Sequence, residues 1–258
     1  FNVGAMGTGL TYQWQENIGS GFVDIPGATA SLYIKSTVTA AFNGYQYRAV
    51  VSGACAPSVT TNAAVLTVNS LPAITTHPSS VTTCSGANVI FSATATGSGL
   101  AYQWQEDNGS GFVNISGATG VSYTKTGITG AINGYQYRVI VSGTCSPSVT
   151  SNAAVLTVTT APTITDQPDD VSICSGANAV FSVTASGSGV AYQWQVNDGF
   201  GFVDIPGASN ATYTKVAAPA SFNGYLYRVI IGGVCPPGLT SAVATLTIQD
   251  GPAISSHP

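Results

Sequence analysis

The tetrapeptide Tyr-Gln-Trp-Gln occurs at residues 12–15, 102–105 and 192–195, with 90 positions between successive copies. A 90-residue period is longer than the roughly 20–45 residues of a solenoid repeat, and it has the size of one small autonomous domain. We therefore predict a chain of tandem domains, each with its own core. Three other sets of residues recur at the same 90-residue spacing: Pro72, Pro162 and Pro252; Arg48, Arg138 and Arg228; Cys55, Cys145 and Cys235.

The repeated prolines mark the predicted domain boundaries. We predict an N-terminally incomplete repeat at 1–71, complete repeats at 72–161 and 162–251, and the start of a further repeat at 252–258. Phe1 aligns with a residue in the middle of a strand, so the first domain lacks its opening strands. Because this leaves an open sheet edge and an uncovered core, we expect the natural chain to continue in both directions.

The second repeat reads as short strands in which apolar and polar residues alternate. We predict strands at 89–95, 100–105, 121–126, 135–142 and 149–158, separated by Gly, Asn and Ser turns. No segment shows a helical apolar stripe. This pattern favours an all-β fold made of β-sandwich domains. The aromatic residues predicted to form the structural core are Trp14, Trp104, Trp194, Tyr47, Tyr137 and Tyr227.

The composition excludes several functional classes. Charged residues are 6% of the chain, against a usual share of roughly 25%. Six basic residues against ten acidic ones give a net charge of −4, too few cations to neutralise a run of phosphates, so nucleic acid is excluded as a partner. No stretch approaches the roughly 20 apolar residues of a membrane span. Few residues suit catalysis, and we predict no enzyme activity, no catalytic residues, no cofactor and no metal.

Three segments of the second repeat resemble a known group of domains. Trp104, followed by Asn-Gly-Tyr-Gln-Tyr-Arg at 133–138, resembles the immunoglobulin fold, with Tyr137 at the position of its tyrosine corner. The amino-acid sequence at 97–105, 133–139 and 151–158 resembles that of tandem immunoglobulin-like (Ig-like) repeats in large secreted cell-surface proteins of Bacteroidetes-type bacteria, such as gliding-motility adhesins. The resemblance implies tandem Ig-like domains in an extracellular, cell-surface protein.

Three near-identical all-β domains without catalytic groups favour a non-catalytic extension module. We expect a stalk segment of a long adhesin or surface fibre, which projects a distal binding region and bears load in surface adhesion or gliding. Its partners would be neighbouring repeats of the same long chain, and surface polysaccharide or other cells. Two alternatives remain open: a self-assembling, homo-oligomeric filament, and a spacer or carbohydrate-binding array of a secreted polysaccharide-degrading enzyme.

The cysteines depart from the immunoglobulin pattern. Ala93 and Val139 occupy the core positions that an antibody domain joins by a disulfide, and the cysteines lie towards the domain ends. Five cysteines without metal-ligand spacing indicate disulfides. An intradomain arrangement would pair Cys84 with Cys145 and Cys174 with Cys235.

A second arrangement joins neighbouring domains. In an immunoglobulin sandwich, the turn containing Cys84 and the loop containing Cys145 would lie at opposite ends, beyond the roughly 4.4–6.8 Å between the Cα atoms of a disulfide. Pairing Cys84 with Cys235 in the next domain avoids that distance, and we prefer it. Cys145 would then pair upstream of the given sequence, and Cys174 downstream of it.

Other candidate positions favour structural roles. His77 and His257 align with Gln167, so a shared metal or catalytic role is not expected there. Asp166, Asp169 and Asp170 cluster at one boundary, but the equivalent boundary at 75–80 has no acid. Phe200, in a turn, is the one aromatic predicted to be exposed.

Overall fold

The computed structural model describes residues 1–249 and 251–252, and these residues form short β-strands with three single-turn 3₁₀-helices. The predicted all-β fold of tandem immunoglobulin-like domains is confirmed. The helices are Ala40–Phe42, Gly130–Ile132 and Ala220–Phe222. No helix in the part of the chain that the structure describes has the length and apolar character needed to cross a bilayer.

The strands recur in the same order along the chain. The first domain contains β1 Thr11–Asn17, β2 Phe22–Asp24, β3 Gln46–Ser52, β4 Val59–Thr60 and β5 Ala64–Val65. The second contains β6 Ala73–Thr76, β7 Val81–Cys84, β8 Val89–Ser92, β9 Thr94–Thr96, β10 Ala101–Asp107, β11 Phe112–Asn114, β12 Ser122–Lys125, β13 Gln136–Ser142, β14 Val149–Thr150 and β15 Ala154–Thr159. The third contains β16 Thr163–Asp166, β17 Val171–Cys174, β18 Ala179–Ser182, β19 Thr184–Ser186, β20 Ala191–Asn197, β21 Phe202–Asp204, β22 Thr212–Lys215, β23 Leu226–Gly232, β24 Leu239–Thr240 and β25 Ala244–Gln249.

Each complete domain has two layers. In the second domain one layer has the strand order β11-β10-β13-β15-β7, with β14 also paired to β13. The other layer contains the pairs β12-β8 and β6-β9. The third domain repeats this arrangement with β16 to β25.

One parallel pairing sets the position of the cysteine at the end of β7. Strand β7 runs parallel to β15, with Val81 opposite Leu156 and Cys84 opposite Thr159. Strand β15 is antiparallel to β13. The end of β7 therefore lies near the start of β13, at the edge where the chain leaves the domain.

The core lies between the layers, on the predicted face of each strand. Trp104, Tyr137 and Val139 are fully buried, and Ala93 is 1% exposed. The Tyr137 ring stacks on Phe91 with 4.5 Å between ring centroids. The small residues at the antibody disulfide positions thus pack as ordinary core residues.

Two predicted strands are interrupted. The strand predicted at 89–95 is split at Ala93, so that β8 pairs with β12 and β9 pairs with β6. The strand predicted at 149–158 is split because Ser151 turns inward, where its Oγ accepts a hydrogen bond from the Val139 amide at 3.0 Å. The break at Ala93 separates strands with different partners, whereas β14 and β15, on either side of Ser151, both pair with β13.

The first domain keeps the same core chemistry with fewer strands. The Phe1 ring lies 4.6 Å from Tyr47, in the role that Phe91 has in the second domain. Strand β5 ends at Val65, whereas the equivalent β15 continues for four more residues beside β7. Ala64 is exposed and its equivalent Ala154 is buried.

Candidate functional site

One cysteine of the second domain is joined to one cysteine of the third across the boundary between the domains. Cys84 is bonded to Cys235, with 5.7 Å between their Cα atoms. Cys84 ends β7, and Cys235 lies in the loop after β23, where it is 1% exposed. Thr159 Oγ1 donates to the Thr83 carbonyl at 3.0 Å and lies 3.0 Å from Cys235 Sγ. The disulfide therefore lies against the last residue of β15.

The intradomain alternative is wrong. Cys145 and Cys174, which it would have paired with Cys84 and Cys235, are free thiols, as is Cys55. Cys84 lies near the start of β13, whereas Cys145 follows its end. A seven-residue strand separates these two ends by about 23 Å, which no disulfide spans.

The peptide that links the second domain to the third is held to the third domain by two hydrogen bonds. Thr159 is the last residue of β15, and the next residue, Thr160, is already bound to the following domain. The Thr160 amide donates to Ser188 Oγ at 3.0 Å, and the Ser188 amide donates to the Thr160 carbonyl at 3.1 Å. We call this pair of contacts the serine clamp. No residue therefore separates the last strand of the second domain from the first contact with the third.

The same clamp occurs between the first and second domains. The Ser70 amide donates to Ser98 Oγ at 3.0 Å, and the Ser98 amide donates to the Ser70 carbonyl at 3.2 Å. We refer to residues 69–72 as the first junction and to residues 159–162 as the second junction.

A buried proline follows each clamp and packs against two glycines. A Cβ atom on Gly187 would lie 2.8 Å from Pro162 Cα, and one on Gly233 would lie 3.2 Å from Pro162 Cδ. Gly187 has φ +136°, a conformation that side-chain-bearing residues rarely adopt. We call this space the proline seat. Around Pro72 the equivalent glycines, Gly97 and Gly143, build the same seat.

The histidine near the boundary has a structural role. His77 Nδ1 accepts a hydrogen bond from the Asn152 amide at 3.1 Å. In the third domain, Gln167 Oε1 accepts one from the Ala242 amide at 2.8 Å. Imidazole and amide are interchangeable because each supplies one acceptor. The second predicted histidine, His257, lies outside the described residues.

The three aspartates at the second boundary do not form one ion-binding group. Asp170 Oδ1 accepts a hydrogen bond from the Thr245 amide, and Asp166 lies in β16. Within residues 1–249 and 251–252, no three His, Cys, Asp or Glu side chains form a group that could hold a metal ion.

An ion pair beside the core tyrosine was missed by the sequence analysis. Lys125 Nζ lies 3.0 Å from Glu106 Oε2, and Lys35 forms the same pair with Glu16. The recurrence of this Glu and Lys at a 90-residue spacing could have indicated the ion pair from the sequence, but Val196 replaces the acid in the third domain.

The core tyrosines are held in their neutral form. Burial, reinforced by the negative charge of Glu16, raises the pKa of Tyr47 to about 12. Burial also raises the pKa values of Tyr137 and Tyr227. Their three hydroxyls are buried and have no hydrogen-bond partner in the described part of the chain. The hydrogen bond typical of a tyrosine corner is therefore not made, and these rings act as packing groups.

The outer face of each domain carries a repeated polar row. In the second domain, Arg138 Nε donates to Gln105 Oε1 at 2.8 Å, and Gln105 Nε2 donates to Asn114 Oδ1 at 2.9 Å. The Arg138 guanidinium also covers the Phe112 ring, with 3.8 Å between the guanidinium carbon and the ring centroid.

The turn residue Phe200 is 98% exposed, so its aromatic ring faces solvent.

Comparison with protein families gives a match over most of the chain. Residues 73–160 and 163–250 each match a family described as a domain of unknown function (DUF8696). A curated relative, Endoglucanase C from Cellulomonas fimi, is 38% identical over 103 residues, which is 39% of this chain and 9% of that protein. The chain thus spans under a tenth of that relative.

Solved structures of tandem immunoglobulin domains share the fold. The three titin domains I67–I69 superpose with a TM-score of 0.58 at 14% identity, covering 93% of this chain and 88% of theirs. Domains 1–4 of Sidekick-1 superpose with a TM-score of 0.55 at 14% identity, covering 93% of this chain and 68% of theirs. The chain belongs to the DUF8696 domain family and is built of tandem immunoglobulin-like domains.

Proposed function

We propose that this chain is a stiff, non-catalytic spacer segment of a long extracellular protein. The observation that carries the proposal is the second junction, where β15 ends at Thr159, Thr160 is already clamped, and the disulfide joins the two domains. A boundary in which the last strand residue is followed directly by a clamped residue transmits orientation and load from one domain to the next. The disulfide also fits an oxidising, extracellular setting.

The finer role is that of a stalk at the cell surface. A stiff segment holds a distal binding region away from the cell, as in an adhesin or surface fibre used for attachment or gliding. Low charge supports this role, because a surface with few ionic groups responds weakly to changes in salt.

The stiffness is tested by measuring distances between matched positions in neighbouring domains. Val23, Val113 and Val203 are equivalent and about equally exposed, at 59%, 62% and 60%. With Cys55, Cys145 and Cys174 changed to Ser, spin labels at Val113→Cys and Val203→Cys report on the second junction. We expect one narrow distance distribution. A broad distribution would show that the domains move independently and would refute the spacer as proposed.

A second candidate is an accessory array of a polysaccharide-degrading enzyme, and the similarity to Endoglucanase C favours it. Sugar rings are bound largely by exposed aromatic faces, and here the three tryptophans are buried. Arg138 also covers Phe112. An array that binds sugar would be retained on insoluble cellulose or xylan. We expect the chain to stay in solution, as a spacer does, and retention would favour the second candidate.

A further inference from the structure

The disulfide between the second and third domains shortens the covalent path along the chain. Cys84 and Cys235 are 151 residues apart in sequence, and their Cα atoms lie 5.7 Å apart. The chain between them would have a fully extended length of about 500 Å. A pull applied on either side of this stretch is therefore carried across the sulfur–sulfur bond. We call residues 85–234, which lie off that path, the bypassed segment.

The bypassed segment holds most of both domain cores. It contains the large buried aromatic residues of the two domains: Phe91, Trp104, Tyr137, Phe181, Trp194 and Tyr227. In the second domain β6 and β7 remain on the loaded path, and their inward residues Ile74 and Val81 are only partly buried. In the third domain β24 and β25 remain on it. While the bond is closed, tension can peel these short strands but cannot pull the rest of either domain apart.

The two sulfur atoms differ in how easily a thiol reaches them. Cys84 ends β7, which is an edge strand, and it is partly exposed. Cys235 is 1% exposed. Thiol–disulfide exchange begins when a thiolate attacks one sulfur of the bond and expels the other. A thiol in solution should therefore attack Cys84 and expel Cys235.

A hydroxyl group lies where it can stabilise the sulfur that leaves. Thr159 Oγ1 is 3.0 Å from Cys235 Sγ and 3.8 Å from Cys84 Sγ. In the closed form this hydroxyl donates to the Thr83 carbonyl at 3.0 Å. A thiolate at Cys235 is a charged acceptor, and a hydrogen bond to a charged group is stronger than one to a neutral carbonyl. The hydroxyl should therefore turn to Cys235 as the bond breaks.

We propose that the Cys84–Cys235 bond is a thiol-exchange site whose opening places the bypassed segment under tension. A low-molecular-weight thiol attacks Cys84, Cys235 leaves as a thiolate beside Thr159, and a mixed disulfide forms on Cys84. The closed bond gives a short loaded path, and the open bond gives two domains loaded in series. This regulation rests on the spacer function proposed above.

The exchange balances with two thiols as the reductant. The first thiolate forms a bond to Cys84 Sγ and breaks the bond to Cys235 Sγ, which then takes up a proton. A second thiolate attacks the small-molecule sulfur of the mixed disulfide and releases Cys84, which also takes up a proton. The protein disulfide gains two electrons and two protons, and the two thiols become one small-molecule disulfide.

Mass spectrometry tests the direction of the exchange. The chain with Cys55, Cys145 and Cys174 changed to Ser, and with its disulfide intact, is treated briefly with reduced glutathione, and new thiols are trapped with iodoacetamide. We expect glutathione on Cys84 and the alkyl group on Cys235, with the reverse product at least about 10-fold less abundant. Equal amounts of the two products, or no exchange while the chain remains folded, would overturn the proposal.

Substitutions of Thr159 separate the role of its hydroxyl from a simple loosening of the junction. Thr159→Val removes the hydrogen-bond donor, so exchange should slow by about 10-fold, whereas Thr159→Ser should keep the parent rate. Loosening would expose the bond and speed the exchange instead. Thr157→Val, at an exposed position of the same strand, is the matched control and should leave the rate unchanged. A rate in Thr159→Val that equals or exceeds the parent rate would contradict the assigned role.

Pulling single molecules from their two ends tests the bypass. At a constant force that unfolds both domains of the Cys84→Ser/Cys235→Ser variant, the oxidised parent should stay shorter than this variant by about 500 Å. Added glutathione should release that length in the parent, at a rate proportional to its concentration, and should not affect the variant. Release of the full length without a thiol, or no release with one, would refute the bypass. If the distance distribution between labels at 113 and 203 is still narrow, the spacer function stands and this proposal alone fails.

Discussion

The two junctions of this chain use the same linker chemistry but differ in how many attachments hold the preceding domain. Both have a serine clamp and a buried proline in a glycine seat. The second junction shows the Cys84–Cys235 bond; at the first, the position equivalent to Cys84 falls ahead of residue 1, so the given sequence holds only Cys145 of that pair. The clamp therefore holds the linker to the following domain, and the disulfide fixes the preceding domain.

The residue just before each clamp shows the same difference. Thr159 belongs to β15 and is paired with Cys84 of β7. Its equivalent Asn69 lies four residues beyond the end of β5. The strand equivalent to β7 falls ahead of residue 1, so β5 lacks this partner within the given sequence. At the second junction β15 reaches the clamp because β7 holds it, and the orientation of the preceding domain there depends on the β7 edge as well as on the linker.

Removing the disulfide should have the largest effect. In the Cys84→Ser/Cys235→Ser variant the closed loop of 151 residues is lost, a change of about 5 kcal/mol in the chain-entropy account. We expect the joint unfolding of the second and third domains to separate into two calorimetric transitions. The distance distribution between labels at 113 and 203 should broaden to resemble that between 23 and 113. The paired control Cys145→Ser/Cys174→Ser should change neither property, and an unaltered melt in the first variant would contradict the account.

Each junction has its own proline seat, built in the same way. Adding a Cβ atom at the glycine of either seat should therefore destabilise the two junctions equally. A Cβ on Gly97 or Gly187 would lie 2.9 or 2.8 Å from proline backbone. We expect Gly97→Ala to destabilise the second domain, and Gly187→Ala the third, by about 2–3 kcal/mol each in urea denaturation. Gly111, with φ +102° and nothing near its Cβ position, is the control for backbone strain alone. If Gly111→Ala cost as much, close packing of the proline would not be the cause.

The fold could be predicted from sequence because its signals are local and repeated. Alternation along 135–142 placed Tyr137 and Val139 inward, and both are buried. The strand breaks at Ala93 and Ser151 could not be predicted in this way. The first arises because β8 and β9 meet different partner strands, and the second because Ser151 turns inward to accept the Val139 amide; both depend on contacts distant in sequence.

The partner of Cys84 was left open for a similar reason. The residues alone placed it near a domain end, with an uncertainty of several positions in each strand. What decides the pairing is the parallel register of β7 on β15, which puts Cys84 opposite Thr159 at the linker. The ion pair of Glu106 with Lys125 was missed because it recurs in only two of the three domains.

Weakening the serine clamp should distinguish the two junctions. Ser98→Ala and Ser188→Ala each remove one acceptor, at a cost of about 1 kcal/mol. At the first junction we expect the distance distribution between labels at 23 and 113 to broaden. At the second, the disulfide should keep the 113–203 distribution narrow. Equal broadening at both would show that the disulfide contributes little to orientation.

The smallest effect is expected from exchanging the two equivalent hydrogen-bond acceptors His77 and Gln167. His77 Nδ1 and Gln167 Oε1 each accept one backbone amide, from Asn152 and Ala242. His77→Gln should therefore leave the stability of the second domain unchanged, whereas His77→Ala should lose about 1 kcal/mol because it leaves that amide without its acceptor. Gln167→His and Gln167→Ala form the matched pair in the third domain. Thermal unfolding of the four variants tests the assignment: a loss in His77→Gln equal to that in His77→Ala would mean that the imidazole does more than accept this hydrogen bond.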